Sequence, residues 1–178
     1  MEWLLGILVV IVIVILGVWL FIAQQGDAEV KFLVDNRTAF TLTEVTKEQA
    51  VFSCQVPFVN KGPQDGTIMD CYPRHLLPQE QFDATELVSW IALVKSPRRD
   101  GYFEALIVPK TTGDTVEITL KFIAKNGDIR TSMADMVDFT LDIVYQIVAR
   151  SEWYITKERM TVTATELIQA LEVGTANA

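Results

Sequence analysis

Histidine and cysteine are almost missing from this 178-residue chain: it has one His, His75, and two Cys, Cys54 and Cys71. Zinc sites draw on closely spaced Cys and His, and neither CxxC nor HxxxH spacing occurs. Calcium loops of the Asp-x-Asp-x-Asp-Gly type are also missing, and Asp135, Asp138 and Asp142 read as a solvated acidic face. No metal and no cofactor is expected. Nucleophilic catalysis needs a nucleophile, a base within hydrogen-bond reach and a group that orients the base. Cys71 and His75 supply two of these at most, four residues apart across Pro73. The chain is therefore expected not to be an enzyme, with no catalytic residues.

Positive charge is scarce too. There are 15 Lys and Arg against 23 Asp and Glu, a formal net charge of −8. Nucleic acids and anionic headgroups are bound through basic surfaces, so neither is expected as the main partner. The basic stretches at residues 95–99 and 150–159 read as turns or solvated faces.

What the chain has in abundance is apolar length at its start. From Trp3 to Ala23 no residue is charged, proline or strongly polar. At about 1.5 Å rise per residue such a helix is about 31 Å long, matching the roughly 30 Å hydrocarbon core of a bilayer. Residues 9–15 are all β-branched, poor helix formers in water, but in lipid a single segment satisfies its backbone only as a helix. Trp3 and Trp19 lie near the two ends, where indole rings favour the membrane interface. A cleaved signal peptide would carry a basic start and a shorter apolar stretch. Here the start is Met-Glu, and the small-x-small triplet Gly26-Asp27-Ala28 has an acidic middle. Residues 1–23 are thus expected to be an uncleaved signal anchor and residues 24–28 a short juxtamembrane tether. Lys31 and Arg37, the first basic residues after the span, form no cluster, and long domains translocate largely regardless of charge. Orientation is not decided by charge.

Beyond the tether the apolar period is two. Phe52, Cys54, Val56 and Phe58 alternate with Ser53, Gln55 and Pro57. The same rhythm holds through Val116–Phe122, Phe139–Ile147 and Met160–Ala164. Such alternation marks strands buried on one face. Turn signals stand at Asp65-Gly66, Asp100-Gly101, Gly113-Asp114 and Asn126-Gly127, the last predicting a two-residue hairpin. Further strands are expected near residues 30–34, 38–45, 67–72, 87–95 and 102–108. No amphipathic helix long enough for a βαβ crossover separates them, and residues 165–171 read as a short closing helix. The expected fold is an antiparallel β-sandwich over residues 29–172, with a flexible tail at 173–178.

This arrangement resembles the immunoglobulin-like and fibronectin-like sandwiches. It is also similar to the late-embryogenesis-abundant-type sandwich, in which a Val-x-Asn-x-Gly-type corner ends a long early strand. Val59-Asn60-Lys61-Gly62 stands at that place. The resemblance is architectural and implies no activity.

A hairpin centred between Gly62 and Pro63 would place Cys54 opposite Cys71, Val56 opposite Met69 and Phe52 opposite Pro73. Opposed strand positions lie about 4.5–5.5 Å apart, close to the Cα spacing a disulfide needs, so Cys54–Cys71 is a candidate disulfide. Among the aromatic residues, Trp90 alternates with Val88 and Ala92 and reads as core. Trp153 and Tyr154 point to opposite faces of one strand. His75, in Tyr72–Pro78, is expected in a loop crossing between sheets.

The expected function is a single-pass, membrane-anchored, non-enzymatic interaction or scaffolding module. It would touch the bilayer through residues 3–23 and a protein partner through its domain, which is expected outside the cytoplasm. The alternatives are a ligand- or glycan-binding sensory domain and, from another class, a thiol enzyme using Cys71 and His75.

Overall fold

Alternation of apolar and polar residues becomes two antiparallel sheets, with a long apolar helix before them and a shorter helix behind. The computed structural model describes residues 2–98, 100–150 and 152–176. The strands are β1 (Val30–Phe32), β2 (Thr41–Val45), β3 (Gln49–Asn60), β4 (Gly66–His75), β5 (Thr85–Leu93), β6 (Leu106–Val108), β7 (Gly113–Ala124), β8 (Phe139–Val148) and β9 (Trp153–Val162). The helices are α1 (Glu2–Gln24), α2 (Ile129–Met133) and α3 (Ala164–Ala176). One sheet runs β1-β3-β7-β5, with β2 also paired to β3, and the other runs β6-β4-β8-β9.

The inward residues of both sheets meet in one core. Phe122 of β7 packs edge-on against Phe52 of β3, with ring centroids 5.8 Å apart, and against Phe139 of β8 at 6.5 Å. Near the other end Phe32 of β1 lies 4.7 Å from the ring of Tyr145 on β8. The Tyr145 hydroxyl donates to the Val30 carbonyl at 3.2 Å, so a large buried aromatic keeps its polar atom satisfied.

Strand connectivity corrects two expected hairpins. From β3 to β8 every connection crosses from one sheet to the other. Residues 61–65 therefore carry the chain between layers and do not close a hairpin. Cys54 lies opposite Ile118 of β7, and Cys71 opposite Tyr145 of β8. The Cys54–Cys71 pairing is corrected: the two thiols are free and buried, on strands of different sheets.

Asn126-Gly127 likewise leads out of β7 into α2 rather than back along a neighbour. Only Gly127 has a positive φ, 75°, whereas a type I′ turn needs two such residues. The Asn126 Oδ1 instead accepts from the Asp128 N–H (2.9 Å) and the Ser132 hydroxyl (2.7 Å), while Asp128 caps α2 through the Thr131 N–H (3.1 Å). A Cβ at 127 would meet nothing within 4 Å, so Gly127→Val reports chiefly backbone strain. We expect a loss of about 1–2 kcal/mol in chemical denaturation. An unchanged midpoint would mean that this turn does not hold a left-handed residue.

β4 extends past the expected loop to His75, with Pro73 opposite Ile143. β6 pairs with β4 only over Gly66–Ile68, so at Pro73 the strand has one neighbour and its missing N–H faces the open side. The expected tail at 173–178 is also corrected as far as residue 176. α3 runs to Ala176 and lies against β2, with Gly174 beside Leu42. Residues 177 and 178 lie outside the described residues.

Candidate interaction surfaces

α1 meets the domain at the end where residues 24–29, 60–66, 108–113, 148–150 and 152–153 come together. Among the described residues one helix is long and apolar enough to cross a membrane, Trp3–Ile22, with a mean hydropathy of 3.3 and none of it buried against the domain. Trp3 and Trp19 are both exposed. Directly after the helix the chain is held rather than loose. The Arg150 backbone N–H donates to Asp27 Oδ1 at 2.8 Å, and its guanidinium donates to Gln25 Oε1. The Gln64 side-chain amide reaches the Gln25 carbonyl at 3.4 Å.

Asn60 lies under this junction with no exposed surface. Its Oδ1 accepts from the Glu29 and Gly62 N–H groups, both at 3.0 Å. Its Nδ2 donates to the Gln64 carbonyl (2.8 Å) and the Val108 carbonyl (3.1 Å). One amide thus fills its hydrogen-bonding capacity while tying the tether, the β3–β4 crossing and the end of β6 together. Gly62 is the third element of the corner. A Cβ there would sit 2.2 Å from the Asp27 carbonyl oxygen and 2.5 Å from the Glu29 nitrogen, so only glycine lets the crossing pass this close to the tether. The tether at 24–28 is fastened at residues 25, 27 and 28, and Ala28 is buried.

The thiol and imidazole are not brought together. Cys71 and His75 lie four residues apart on one extended strand, about 13 Å of rise, so no proton passes directly between them. Burial pushes the Cys54 thiol up to about 12, with the nearby Arg37 guanidinium opposing, and pushes Cys71 up further. Both are inert in that state. Burial lowers His75 below its usual range, against a weaker raising hydrogen bond with the Leu87 backbone, and its Nδ1 has no partner among the described residues.

Of the expected solvated acidic face, Asp135 and Asp138 are exposed, and the expectation is corrected at Asp142. Asp138 Oδ1 accepts from the Ala164 N–H at 2.7 Å, at the start of α3. Asp142 is buried on the outer side of β8, accepting from Arg159 Nε at 2.6 Å and Lys157 Nζ at 3.0 Å. The Arg159 hydrogen bond, aided by Lys157, holds its carboxyl well below the usual carboxylate range. Among the described residues no group of three His, Cys, Asp or Glu is placed to hold a metal ion.

Two outer faces remain. On the five-stranded sheet, Trp90 is half-buried on the solvent side of β5 and is not a core residue. It lies opposite Thr119, which lies opposite Ser53. With Pro97, Arg98 and Lys121 these residues line an open groove of about 460 Å³. On the four-stranded sheet, Ile107, Val148, Trp153 and Ile155 are exposed, while Tyr154 turns inward and is half-buried. Strict alternation hid these residues. Val148 follows inward Ile147, and Trp153 and Ile155 flank Tyr154, so apolar residues occupy both faces. That doubling was the available signal.

No protein-family model matches the chain, and no curated protein matches it. Solved structures do show distant likeness. The GAE domain of GGA2p from Saccharomyces cerevisiae is similar at a TM-score of 0.37 and 11% identity, over 77% of this chain and 98% of that one. A protein from Archaeoglobus fulgidus is similar at 0.31 and 12% identity, over 76% of this chain and 96% of that one. At these scores neither likeness bears on what the chain does.

Proposed function

We propose that the chain is a single-pass membrane protein, anchored by residues 3–23, whose sandwich is a non-enzymatic interaction or scaffolding module at the membrane surface. The observation that carries this reading is the junction. An exposed apolar helix of membrane-spanning length runs straight into a tether that Arg150, Gln64 and Asn60 bind to the domain. Cleavage after Ala28 would remove Gln25 and Asp27, which these contacts use, so the junction favours retention of the helix. A domain fastened to its anchor presents its faces in a fixed attitude, which suits docking of a protein partner. The Ig-like or fibronectin-like form and the extracytoplasmic side belong to the same reading. They rest on strand alternation and on the ease with which long domains translocate.

The test is extraction of membranes with high salt and then carbonate. The protein is expected to stay in the membrane fraction, because a span of about 20 apolar residues inserts in an effectively irreversible way. Release on washing, or a mature N-terminus at Glu29, would overturn it.

A second reading, a ligand- or glycan-binding sensory domain, has one observation in its favour. Trp90 stands over a groove floored by the small hydroxyls of Ser53 and Thr119, a combination of flat apolar ring and polar floor that suits a sugar.

A further inference from the structure

The outer face of the four-stranded sheet changes character along its strands. The row nearest α1 is Ile107, Thr67, Val148 and Trp153, each opposite the next. The following row holds Asp70, Gln146 and Ile155, with Met69 bulging out beside it. Then come Tyr72, Val144 and Lys157, and after them Arg74, Asp142 and Arg159. The most exposed apolar side chains thus gather in the two rows at the anchor end, and the charged row lies beyond them. Ile107 is 67% exposed, Trp153 64% and Ile155 59%, an unusual concentration for a surface in contact with water alone.

We propose that this corner of the domain rests in the interfacial layer of the same bilayer that holds α1, with Trp153, Ile107, Ile155, Val148 and Met69 among the headgroups. The proposal rests on the anchor reading above. Position is the first argument. The β8–β9 turn carries Arg150, which bonds the residues that directly follow α1. Val148 is two residues from Arg150, about 7 Å along a strand. The interfacial layer on each side of the hydrocarbon core is about 5–8 Å deep, so the first row reaches it with little tilt, and a lean of the outer face toward the bilayer brings in Ile155 and Met69, about 7 Å farther along the strands. Composition is the second argument. Tryptophan and aliphatic side chains partition into this layer, and indole does so most characteristically. Charge is the third. Arg150 in the adjoining turn spends its guanidinium on Gln25, and Lys157 and Arg159 farther along the outer face are engaged by Asp142, so the contact of this face is apolar and requires no anionic lipid. A second copy of the chain is the competing occupant. A paired face would be expected to centre its apolar residues mid-sheet, whereas here they fade with distance from the anchor.

The test labels single introduced thiols on the full chain in phosphatidylcholine vesicles. Native Cys54 and Cys71 are buried, so an environment-sensitive alkylating dye reports the introduced site. Ile107→Cys and Ile155→Cys are compared with Val88→Cys, which lies exposed on the other sheet. All three positions face solvent in the isolated chain, so the fold tolerates them. The dyes at 107 and 155 are expected to emit blue-shifted and to be quenched by headgroup-proximal doxyl lipid about threefold or more beyond the dye at 88. Equal, water-like signals at all three sites, in vesicles that keep the protein through carbonate, would overturn the proposal and leave the anchor reading standing. Shielding without lipid quenching, together with cross-links between copies at 155, would overturn it in favour of a second copy. Release of the protein by carbonate would overturn both readings together.

Discussion

Asn60→Ala is expected to lower the unfolding free energy of the detergent-solubilised chain by about 3–4 kcal/mol. The side chain has no exposed surface and makes four hydrogen bonds to backbone groups in three separate segments. Alanine removes all four at once. The Gly62 N–H and the Val108 carbonyl sit in buried bonds, and a buried polar group left unpaired costs about 1–3 kcal/mol. The other two groups are only partly buried, so water recovers some of the loss. Asn60→Asp separates hydrogen bonding from size. A carboxylate keeps the two acceptor bonds but turns an oxygen toward the carbonyls of Gln64 and Val108, so it is expected to cost at least as much as alanine. Denaturant midpoints check both variants. An Asn60→Ala midpoint close to wild type would mean that the corner is held by something other than this amide.

The second large effect lies at the centre of the core. Phe122→Ala is expected to cost about 3–5 kcal/mol, the range for removing a large aromatic from a packed interior. Phe122 is fully buried on β7 and touches Phe52 in its own sheet and Phe139 in the facing one. The cavity would therefore open between layers, where neither sheet can close it without moving as a whole. Edge-on aromatic pairs add about 0.5–1.5 kcal/mol beyond area, so Phe122→Leu is expected to lose a smaller but measurable part. A loss below about 1 kcal/mol for Phe122→Ala would show that the two layers do not pack through this ring.

Both sites were partly visible beforehand, and the difference between them is instructive. Phe122 belongs to an unbroken alternation, Val116 to Phe122, so its burial followed from the pleat of a strand alone. Asn60 stood in a recognisable corner, Val59-Asn60-Lys61-Gly62, but its partners are 31 residues upstream at Glu29 and 48 downstream at Val108. Spacing within the corner says nothing about such partners. The contact surfaces were harder still. Arg150 read as part of a solvated basic stretch, and its grip on Asp27 spans 123 residues. Trp90 alternated with Val88 and Ala92 like a core residue, yet that parity points outward. Period two tells which residues share a face but not which face meets the core.

By itself the sequence determined what depends on local physics. An apolar run of membrane length must be a helix if it enters lipid, and alternation must give one-sided strands. Tertiary structure decided which strands became neighbours. Every connection from β3 to β8 crosses between sheets, which separated Cys54 from Cys71 and turned Asn126-Gly127 into the entrance of a helix. A short turn-forming stretch carries the same residues whether it returns along its own sheet or steps across to the next. The choice is made by the facing aromatic side chains that close the core, and they come from distant parts of the chain.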